Sequence, residues 1–281
     1  MSAGIRKLSK FEKVFTYSVL TFFTAFALYP ILVVFSISIR PGNRLLSKSL
    51  AIIPENFTFE TYVQLFTQQP FLRWMMNSLI VSILVTIFAV ALAASAGYAF
   101  SRYKFKGRNA SMIGLITTQM FPVTMLLLPL FIMLIKIGAY DSYIGLIIAY
   151  SATALPFTVW QMKGYYDTIP ISLEEAATID GAGQFTTFYK IILPLALPAL
   201  AITSLFSFMT AWSEYLVAAV LIQDQDLFTL PMGLKLFSSN MEVAWGLYSA
   251  GAIVVSIPVV ILFLSLSRWL ISGLTLGSVK G

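Results

Sequence analysis

The hydrophobic positions of this chain fall into six long apolar runs separated by polar connections. An α-helix needs roughly 20 apolar residues to cross a bilayer, and the runs approach or exceed that length. Prolines inside the last four runs either bend these helices around a cavity or are ordinary irregularities of membrane helices. The predicted spans are 14–39, 74–101, 111–135, 142–162, 191–213 and 244–267. The pattern predicts an all-α membrane protein with six transmembrane helices in a single domain, 1–281.

The polar connection 170–194 has the pattern of structure rather than of a loop. Ser172 and Glu175 have the spacing of a helix-capping box, in which each side chain accepts a hydrogen bond from the backbone amide of the other. The residues that follow at helical spacing are Leu173, Ala176, Ala177 and Asp180. Glu174 and Glu175 point away from that face. We therefore expect a first short helix that is acidic at its start.

Glycines divide this connection into two parts. Gly181 and Gly183 are expected to end the first helix, because glycine enters the left-handed conformation at little cost. The aromatic and aliphatic residues after them have the i, i+3, i+4, i+7 spacing of a second amphipathic helix, namely Phe185, Phe188, Tyr189 and Ile192. The sequence therefore predicts a helix-turn-helix element between spans four and five.

Composition limits the chemistry that the chain can perform. It is 58% hydrophobic and only 11% charged, whereas soluble domains are about a quarter charged. It contains no cysteine and no histidine, which excludes disulfides, thiolate metal sites and the side chain most often used as a general base. The net charge of +6 is typical of lysines and arginines that flank membrane helices on the cytoplasmic side.

The distribution of lysine and arginine sets the expected orientation. With six spans, both termini lie on one side, and that side also receives the basic cluster 102–108 and the connection 170–194. This side carries more lysine and arginine than the other, and such an excess marks the cytoplasm. Both termini and the helix-turn-helix element are therefore expected in the cytoplasm of a multi-pass protein.

Neutral polar and aromatic side chains are the candidates for contact with a substrate. No ionisable residue lies in the middle of a predicted span, which argues against an ion-coupled or proton-coupled transporter. The chain also lacks the G-x-x-x-x-G-K-[ST] motif, so an ATP-driven process needs a motor on another chain. Amides, hydroxyls and aromatic rings suit a neutral sugar, but they also serve as interhelical hydrogen bonds and interfacial aromatics. The substrate-path candidates are Gln119, Ser151, Trp160, Ser207 and Trp212.

The helix-turn-helix element has two interpretations. An amphipathic hairpin next to a membrane can simply lie on the lipid surface. Its first helix is acidic, however, and lacks the Lys/Arg face that such helices usually carry. Carboxylates beside an apolar edge favour a protein partner.

The residues of this element resemble a known family. One pattern in it is similar to the EAA motif of permease subunits of bacterial ABC importers. The pattern is Glu175-Ala176-Ala177, followed by Gly181 and then by Ile-x-Leu-Pro at 191–194. The loop 53–58 and the ending 273–281 resemble those of the carbohydrate-importing branch. The chain is most similar to the smaller permease subunit of maltose/maltodextrin importers.

The resemblance implies partners and roles. It implies a second homologous permease, a cytoplasmic ATPase dimer, an extracytoplasmic sugar-binding protein and membrane lipid, with no nucleic acid. ATP and magnesium belong to the ATPase, so this chain is expected to bind no cofactor and to be no enzyme. The residues expected to couple the chain to the ATPase are Glu174, Glu175, Ala176, Ala177, Asp180, Gly181, Ile191, Leu193 and Pro194. The tail residues expected to reach the ATPase are Thr275, Gly277, Val279, Lys280 and Gly281.

Three functions are compatible with the pattern of spans. The first is the permease subunit of an ATP-driven sugar importer in a bacterial cell membrane. The second is a secondary sugar transporter or facilitator that works alone. Such a transporter is expected to have a buried charge inside its spans, and this chain lacks one. The third is a membrane scaffold, which leaves the polar residues of spans three to five without a role.

Overall fold

The computed structural model describes residues 9–43, 45, 52–238 and 243–276, and their regular structure is helical. The chain forms two compact units. The first comprises Met1–Gln69 with Leu236–Val254, and the second comprises Pro70–Lys235 with Val255–Gly281.

The first unit begins with the long helix α1, Lys10–Ser38. Its first turn is closed by a capping box, in which the amide of Glu12 donates to Ser9 Oγ at 3.2 Å and the amide of Ser9 donates to Glu12 Oε2 at 2.8 Å. The next α-helix among the described residues is the short helix α2, Glu60–Thr67. The hydroxyls of Ser38 and Tyr62 lie 2.8 Å apart and tie α2 to the end of α1.

The remaining helices follow in chain order. They are α3 Phe71–Arg102, α4 Arg108–Thr118, α5 Val123–Lys136, α6 Tyr143–Tyr166, α7 Ser172–Ile179, α8 Gln184–Thr187, α9 Leu193–Leu195, α10 Leu197–Ser213, α11 Leu216–Leu221, α12 Leu230–Leu236 and α13 Trp245–Leu276. A π-helical segment, Phe188–Ile192, joins α8 to α9.

Within the part of the chain that the structure describes, four helices are long and apolar enough to cross a membrane without a break: α1, α3, α6 and α13, the last over Trp245–Trp269. They match the predicted first, second, fourth and sixth spans to within a few residues, except that α13 continues beyond the predicted end of its span. The structure reaches six spans only if each of two bent helix pairs counts as one.

The predicted third span, 111–135, is not one helix. The helices α4 and α5 meet at 105°. Pro122 lies at the break with extended backbone angles. Proline donates no amide hydrogen bond and disfavours helical geometry at the preceding residue, here Phe121. Pro129, the other proline of this predicted span, lies inside α5 without ending it.

The predicted fifth span, 191–213, is also bent. The helical stretch Gln184–Leu195 meets α10 at 76°. The break falls at Ala196, two residues before Pro198, which lies in the first turn of α10. Proline is favoured in a first helical turn, where its missing amide costs nothing. A continuous predicted span is therefore replaced by an elbow.

The core of the second unit is formed by α3, α6 and α10. One face of α3 carries small buried residues, namely Ala89, Ala93, Ala94 and Gly97. A Cβ atom on Gly97 would lie 2.8 Å from Met162 Cβ and 2.9 Å from the backbone nitrogen of Lys163. The contact between α3 and α6 at this level therefore depends on the absence of a side chain.

Candidate functional site

The helical hairpin formed by α7 to α9 begins differently from the prediction. The amides of Glu174 and Glu175 both donate to the carbonyl of Ile171, at 2.8 and 3.1 Å. The helix therefore begins one residue earlier than predicted, with Ile171 at the N-cap position and Ser172 inside the first turn. No side chain caps the helix, because the amide of Glu175 is already bonded to the Ile171 carbonyl. The predicted capping box between Ser172 and Glu175 is therefore wrong.

The turn of the hairpin depends on one glycine. Gly181 has φ +80°. The amide of Ala182 donates to the carbonyl of Ala177 at 2.9 Å, and the amide of Gly181 donates to that of Thr178 at 3.0 Å. These two bonds are the Schellman pattern that ends helices at a left-handed residue. Gly183 has φ −72° and ψ 160°, so it precedes α8 in ordinary extended geometry.

The second arm of the hairpin is helical, but it does not have the single apolar face that was predicted. Phe188 and Ile192 are buried, whereas Phe185 and Tyr189 are 82% and 60% exposed. The segment Phe188–Ile192 is π-helical, and a π turn contains more residues than an α turn, so the angular spacing of Phe188, Tyr189 and Ile192 differs from the α-helical spacing assumed in the prediction.

The outer face of α7 consists of Ser172, Glu175, Ala176 and Ile179, which have i, i+3, i+4, i+7 spacing and are all exposed. Ile179 is 87% exposed. An exposed apolar side chain beside a carboxylate and a small alanine presents a shallow surface of mixed character. This face is exposed and available for contact with another protein.

The other residues of the predicted coupling set lie in several environments. Ala177 is buried at 4% exposure, and Ile191 and Leu193 are half-buried. Asp180 and Pro194 are exposed. The structure therefore distributes the set over exposed, half-buried and buried positions of the hairpin.

Glu174 faces the interior of the second unit, unlike its neighbour Glu175. Its Oε1 accepts a hydrogen bond from Arg102 Nε at 2.5 Å, and its Oε2 accepts one from the Tyr98 hydroxyl at 2.7 Å. Arg102 Nη2 also donates to the carbonyl of Ile169 at 2.9 Å. The side chains of Arg102 and Glu174 are only 8% and 15% exposed. Both helix α7 and the chain that leads to it are therefore attached to the end of α3.

A second polar group adjoins this pair. Ser101 Oγ donates to Asp167 Oδ1 at 2.7 Å, and Lys163 Nζ donates to Asp167 Oδ2 at 2.5 Å. Partial burial by itself raises the pKa of Asp167, but the hydrogen bonds from Lys163 and Ser101 outweigh it and hold the pKa below its ordinary value of 3.8. The carboxylate of Asp167 stays ionised and links α3 to α6.

The sequence did not point to Tyr98 and Arg102 as partners of the hairpin. Arg102 counted only as one of the basic residues that flank a span. The available signal was its place as the last residue of an apolar helix, one connection away from an acidic motif. Arg102 directly follows the predicted span 74–101, and a charged residue so close to the apolar part of a membrane needs a partner.

A polar network also exists at the N-terminal end of α3. Asn77 Nδ2 donates to the carbonyls of Asp226 and Phe228 at 2.8 and 2.9 Å. The hydroxyl of Tyr143 donates to Asn77 Oδ1 at 2.7 Å. Arg73 forms an exposed ion pair with Asp226. These bonds hold the connection between α11 and α12 against α3 and α6.

The structure does not bring the five substrate-path candidates together in one cavity. Gln119 lines a cavity of about 210 Å³ between α5 and α6, where its amide donates to the Thr153 carbonyl at 2.9 Å. Trp212 is buried and donates to the carbonyl of Val255 at 3.2 Å. Trp160 is 51% exposed. Ser151 and Ser207 are buried, and their hydroxyls have no hydrogen-bond partner among the described residues.

Comparison with known proteins identifies the family. Residues 89–275 match the family described as the binding-protein-dependent transport system inner membrane component. The chain belongs to this family. It is therefore an inner-membrane permease component, as the apolar helices and the motif in α7 indicated.

Similar permeases match along almost their whole length. The maltodextrin transport system permease protein MdxG of Bacillus subtilis (strain 168) is 36% identical over 272 residues, which are 96% of this chain and 97% of MdxG. The maltose/maltodextrin transport system permease protein MalG of Escherichia coli (strain K12) is 35% identical over 294 residues and 98% of both chains.

A solved structure shares the fold of this permease. The crystal structure of a bacterial ABC transporter involved in the import of the acidic polysaccharide alginate contains a chain with a TM-score of 0.80 and 24% identity. The match covers 94% of this chain and 99% of that chain. The arrangement of helices is therefore shared between the two proteins.

The predicted tail contacts fall mostly outside the described residues. Thr275 lies in the last turns of α13, while Gly277, Val279, Lys280 and Gly281 lie beyond the described part of the chain. Within the described ranges, no three acidic side chains converge on a site that would hold a metal ion.

Proposed function

We propose that this chain is one of two permease subunits in an ATP-driven importer of maltose, maltodextrin or a similar oligosaccharide. The family supports transport that depends on a binding protein. The similarity to MdxG and MalG over nearly the full length supports this class of sugar. The chain forms half of the translocation path, and a second, homologous permease forms the other half.

The hairpin of α7 to α9 couples this permease to the ATPase. The observation that carries this role is the exposed outer face of α7, with Glu175 and Ala176 beside Ile179. Ala176 allows close approach of a partner, and Glu175 supplies a charge for a basic or polar group in a cleft of the ATPase. ATP and magnesium are held by that partner, and this chain contributes no group to hydrolysis.

The orientation follows from charge. The basic residues that follow α3 lie at the same end of the second unit as the hairpin. We place this end, and both termini, in the cytoplasm, because lysine and arginine concentrate there. The tail Thr275–Gly281 then extends toward the ATPase dimer, and the opposite end of the permease receives the sugar-binding protein.

Movement passes from the motor to the membrane through this contact. Closure of the ATPase dimer displaces the hairpin, and the helices attached to it alternate between inward-facing and outward-facing arrangements. The proposal therefore requires that the outer face of α7 is the contact surface.

The test is a charge reversal in the reconstituted complex of both permeases, the ATPase and the binding protein. Glu175→Lys is expected to lower sugar uptake and binding-protein-stimulated ATP hydrolysis at least tenfold. Glu60→Lys, an exposed acid in α2, is the matched control and is expected to leave both rates unchanged. Normal uptake and hydrolysis with Glu175→Lys would exclude the coupling role.

Two further measurements address orientation and autonomy. A topology reporter at Gly183 is expected to report the cytoplasm, and an extracytoplasmic result would overturn the orientation. Proteoliposomes that contain the permeases without the ATPase are expected to show no uptake. Uptake under that condition would favour the stand-alone transporter instead.

A further inference from the structure

The strongest unassigned feature of the molecule is the buried cluster under α7. Glu174 accepts one hydrogen bond on each carboxylate oxygen, from Arg102 and from the Tyr98 hydroxyl. Arg102 uses its other nitrogens for Ser101 Oγ at 3.0 Å and the Ile169 carbonyl at 2.9 Å. The guanidinium of Arg102 therefore joins the end of α3 to α7 and to the chain that leads into α7.

The same residues also contact the second arm of the hairpin. The rings of Tyr98 and Phe188 have centroids 4.8 Å apart, and those of Tyr98 and Tyr166 lie 5.7 Å apart in an edge-on arrangement. Tyr98 therefore contacts α7 through its hydroxyl, and the π-helical segment and α6 through its ring. Both arms of the hairpin rest on the last turns of α3.

We propose that Arg102 and Glu174, with Tyr98, are positioning residues that lock α7 to the end of α3, so that the hairpin and the spanning helices move as one rigid body. This inference rests on the proposed coupling function, and it names the internal contact through which the movement passes. Glu174 acts through Arg102 on α3, while Glu175 faces the partner.

The physical basis is the penalty for separating the pair. Removing one partner from a buried ion pair leaves the other charge uncompensated, which disfavours any geometry in which α7 slides along α3. The planar guanidinium with its fixed donors also allows few alternative arrangements. Burial of apolar area has no such directional requirement, because the hydrophobic effect is non-directional.

The first test compares sugar uptake per ATP hydrolysed, normalised to assembled complex. Glu174→Ala is expected to lower this ratio at least tenfold, because α7 then moves without carrying α3. The matched control is Asp226→Ala, which removes the partner of Arg73 in an exposed ion pair at the other end of α3. This control is expected to change the ratio less than twofold. An unchanged ratio with Glu174→Ala would overturn the proposal.

A second test remains decisive if Glu174→Ala assembles poorly. The natural chain contains no cysteine, so Arg102→Cys with Glu174→Cys gives a single pair of thiols. The reduced double variant is expected to couple poorly, and a short bifunctional thiol reagent is expected to restore the ratio at least threefold. If the cross-link instead stops uptake by the reduced variant, α7 moves relative to α3 and the rigid-body proposal is wrong.

Different results would contradict the proposed coupling function and the proposed role of the ion pair. If the wild-type complex shows no ATP-dependent uptake, or Glu175→Lys has no effect, the coupling function itself is wrong. If the wild type couples and Glu175→Lys is inactive while Glu174→Ala keeps its ratio, only the role of the Arg102–Glu174 pair is wrong.

Discussion

Gly97 and Met162 mark the closest approach of two spanning helices. A Cβ on Gly97 would lie 2.8 Å from Met162 Cβ, a distance that real Cβ atoms essentially never show. The neighbouring atom on the same side is the backbone nitrogen of Lys163, which cannot move as a flexible side chain does. α3 and α6 are therefore fitted backbone to backbone at this level.

This contact predicts the effect of a single methyl group. Gly97→Ala is expected to destabilise the protein by about 1–3 kcal/mol, because a packed interior resists added atoms. Gly114→Ala in α4 is the matched control, since a Cβ at that position would meet no neighbouring atom within 4 Å and alanine is the better helix former by up to about 1 kcal/mol. Thermal unfolding of the purified protein in detergent measures both changes. Equal melting temperatures for the two variants would contradict the close approach.

The turn of the hairpin gives a second glycine prediction. Gly181→Ala is expected to cost about 1–2 kcal/mol, because an L-residue resists φ +80°. Gly183→Ala is the matched control two residues away, where φ −72° suits alanine and a gain of about 0.4–1 kcal/mol is expected. The two variants are compared by the melting temperature and the ATPase stimulation of the reconstituted complex. A Gly181→Ala complex with normal values for both would show that the turn tolerates the substitution.

The sequence predicted the existence of the apolar helices but not their breaks. A long apolar run is a strong local signal, and α1, α3 and α6 follow it closely. Pro122 and Pro129 look alike in sequence, yet Pro122 lies at the break, directly before the first residue of α5, and Pro129 lies inside α5. Which proline becomes the elbow depends on the packing of neighbouring helices, and one segment of sequence does not contain that information.

The sequence also did not predict the orientation of single side chains. Glu174 and Glu175 are adjacent carboxylates, and the motif favoured both as outward contacts. Glu174 points inward because Arg102, which is 72 positions away in the chain, lies beneath it. The failed capping box has a similar origin, since the backbone had already used the amide of Glu175 for Ile171.

Asn77 predicts how the connection between α11 and α12 is held. Its side chain is 4% exposed and serves the carbonyls of Asp226 and Phe228 together with the Tyr143 hydroxyl. Asn77→Leu is expected to cost about 1–3 kcal/mol, because it leaves buried polar groups unpaired, whereas Tyr143→Phe removes one bond at about 1 kcal/mol. Hydrogen exchange of the amides 224–230 is expected to accelerate more in Asn77→Leu. Equal protection in both variants would show that Asn77 does not hold this connection.

Asp167 predicts a pH dependence. Its pKa in the folded protein lies below 3.8, so the ionised form stabilises the fold at neutral pH, and this stabilisation is lost as the pH falls through the depressed pKa. Asp167→Asn is expected to melt earlier than wild type at pH 7, and the difference is expected to shrink as the pH falls below 3.8 and through the depressed pKa. Melting curves across that range measure it. A difference that grows on acidification would contradict the sign of the shift.

Gln119 is the substrate-path candidate that the structure places at a cavity. Its amide nitrogen donates to the carbonyl of Thr153, which leaves the side-chain oxygen to accept a bond from a sugar hydroxyl. Gln119→Leu keeps the size of the side chain and removes this acceptor, so uptake is expected to fall at least threefold while the complex still assembles. Ser207→Ala is the control, because that hydroxyl is fully buried at 0% exposure and a substrate cannot reach it. Uptake that responds to Ser207→Ala and not to Gln119→Leu would move the path away from the α5–α6 cavity and toward α10.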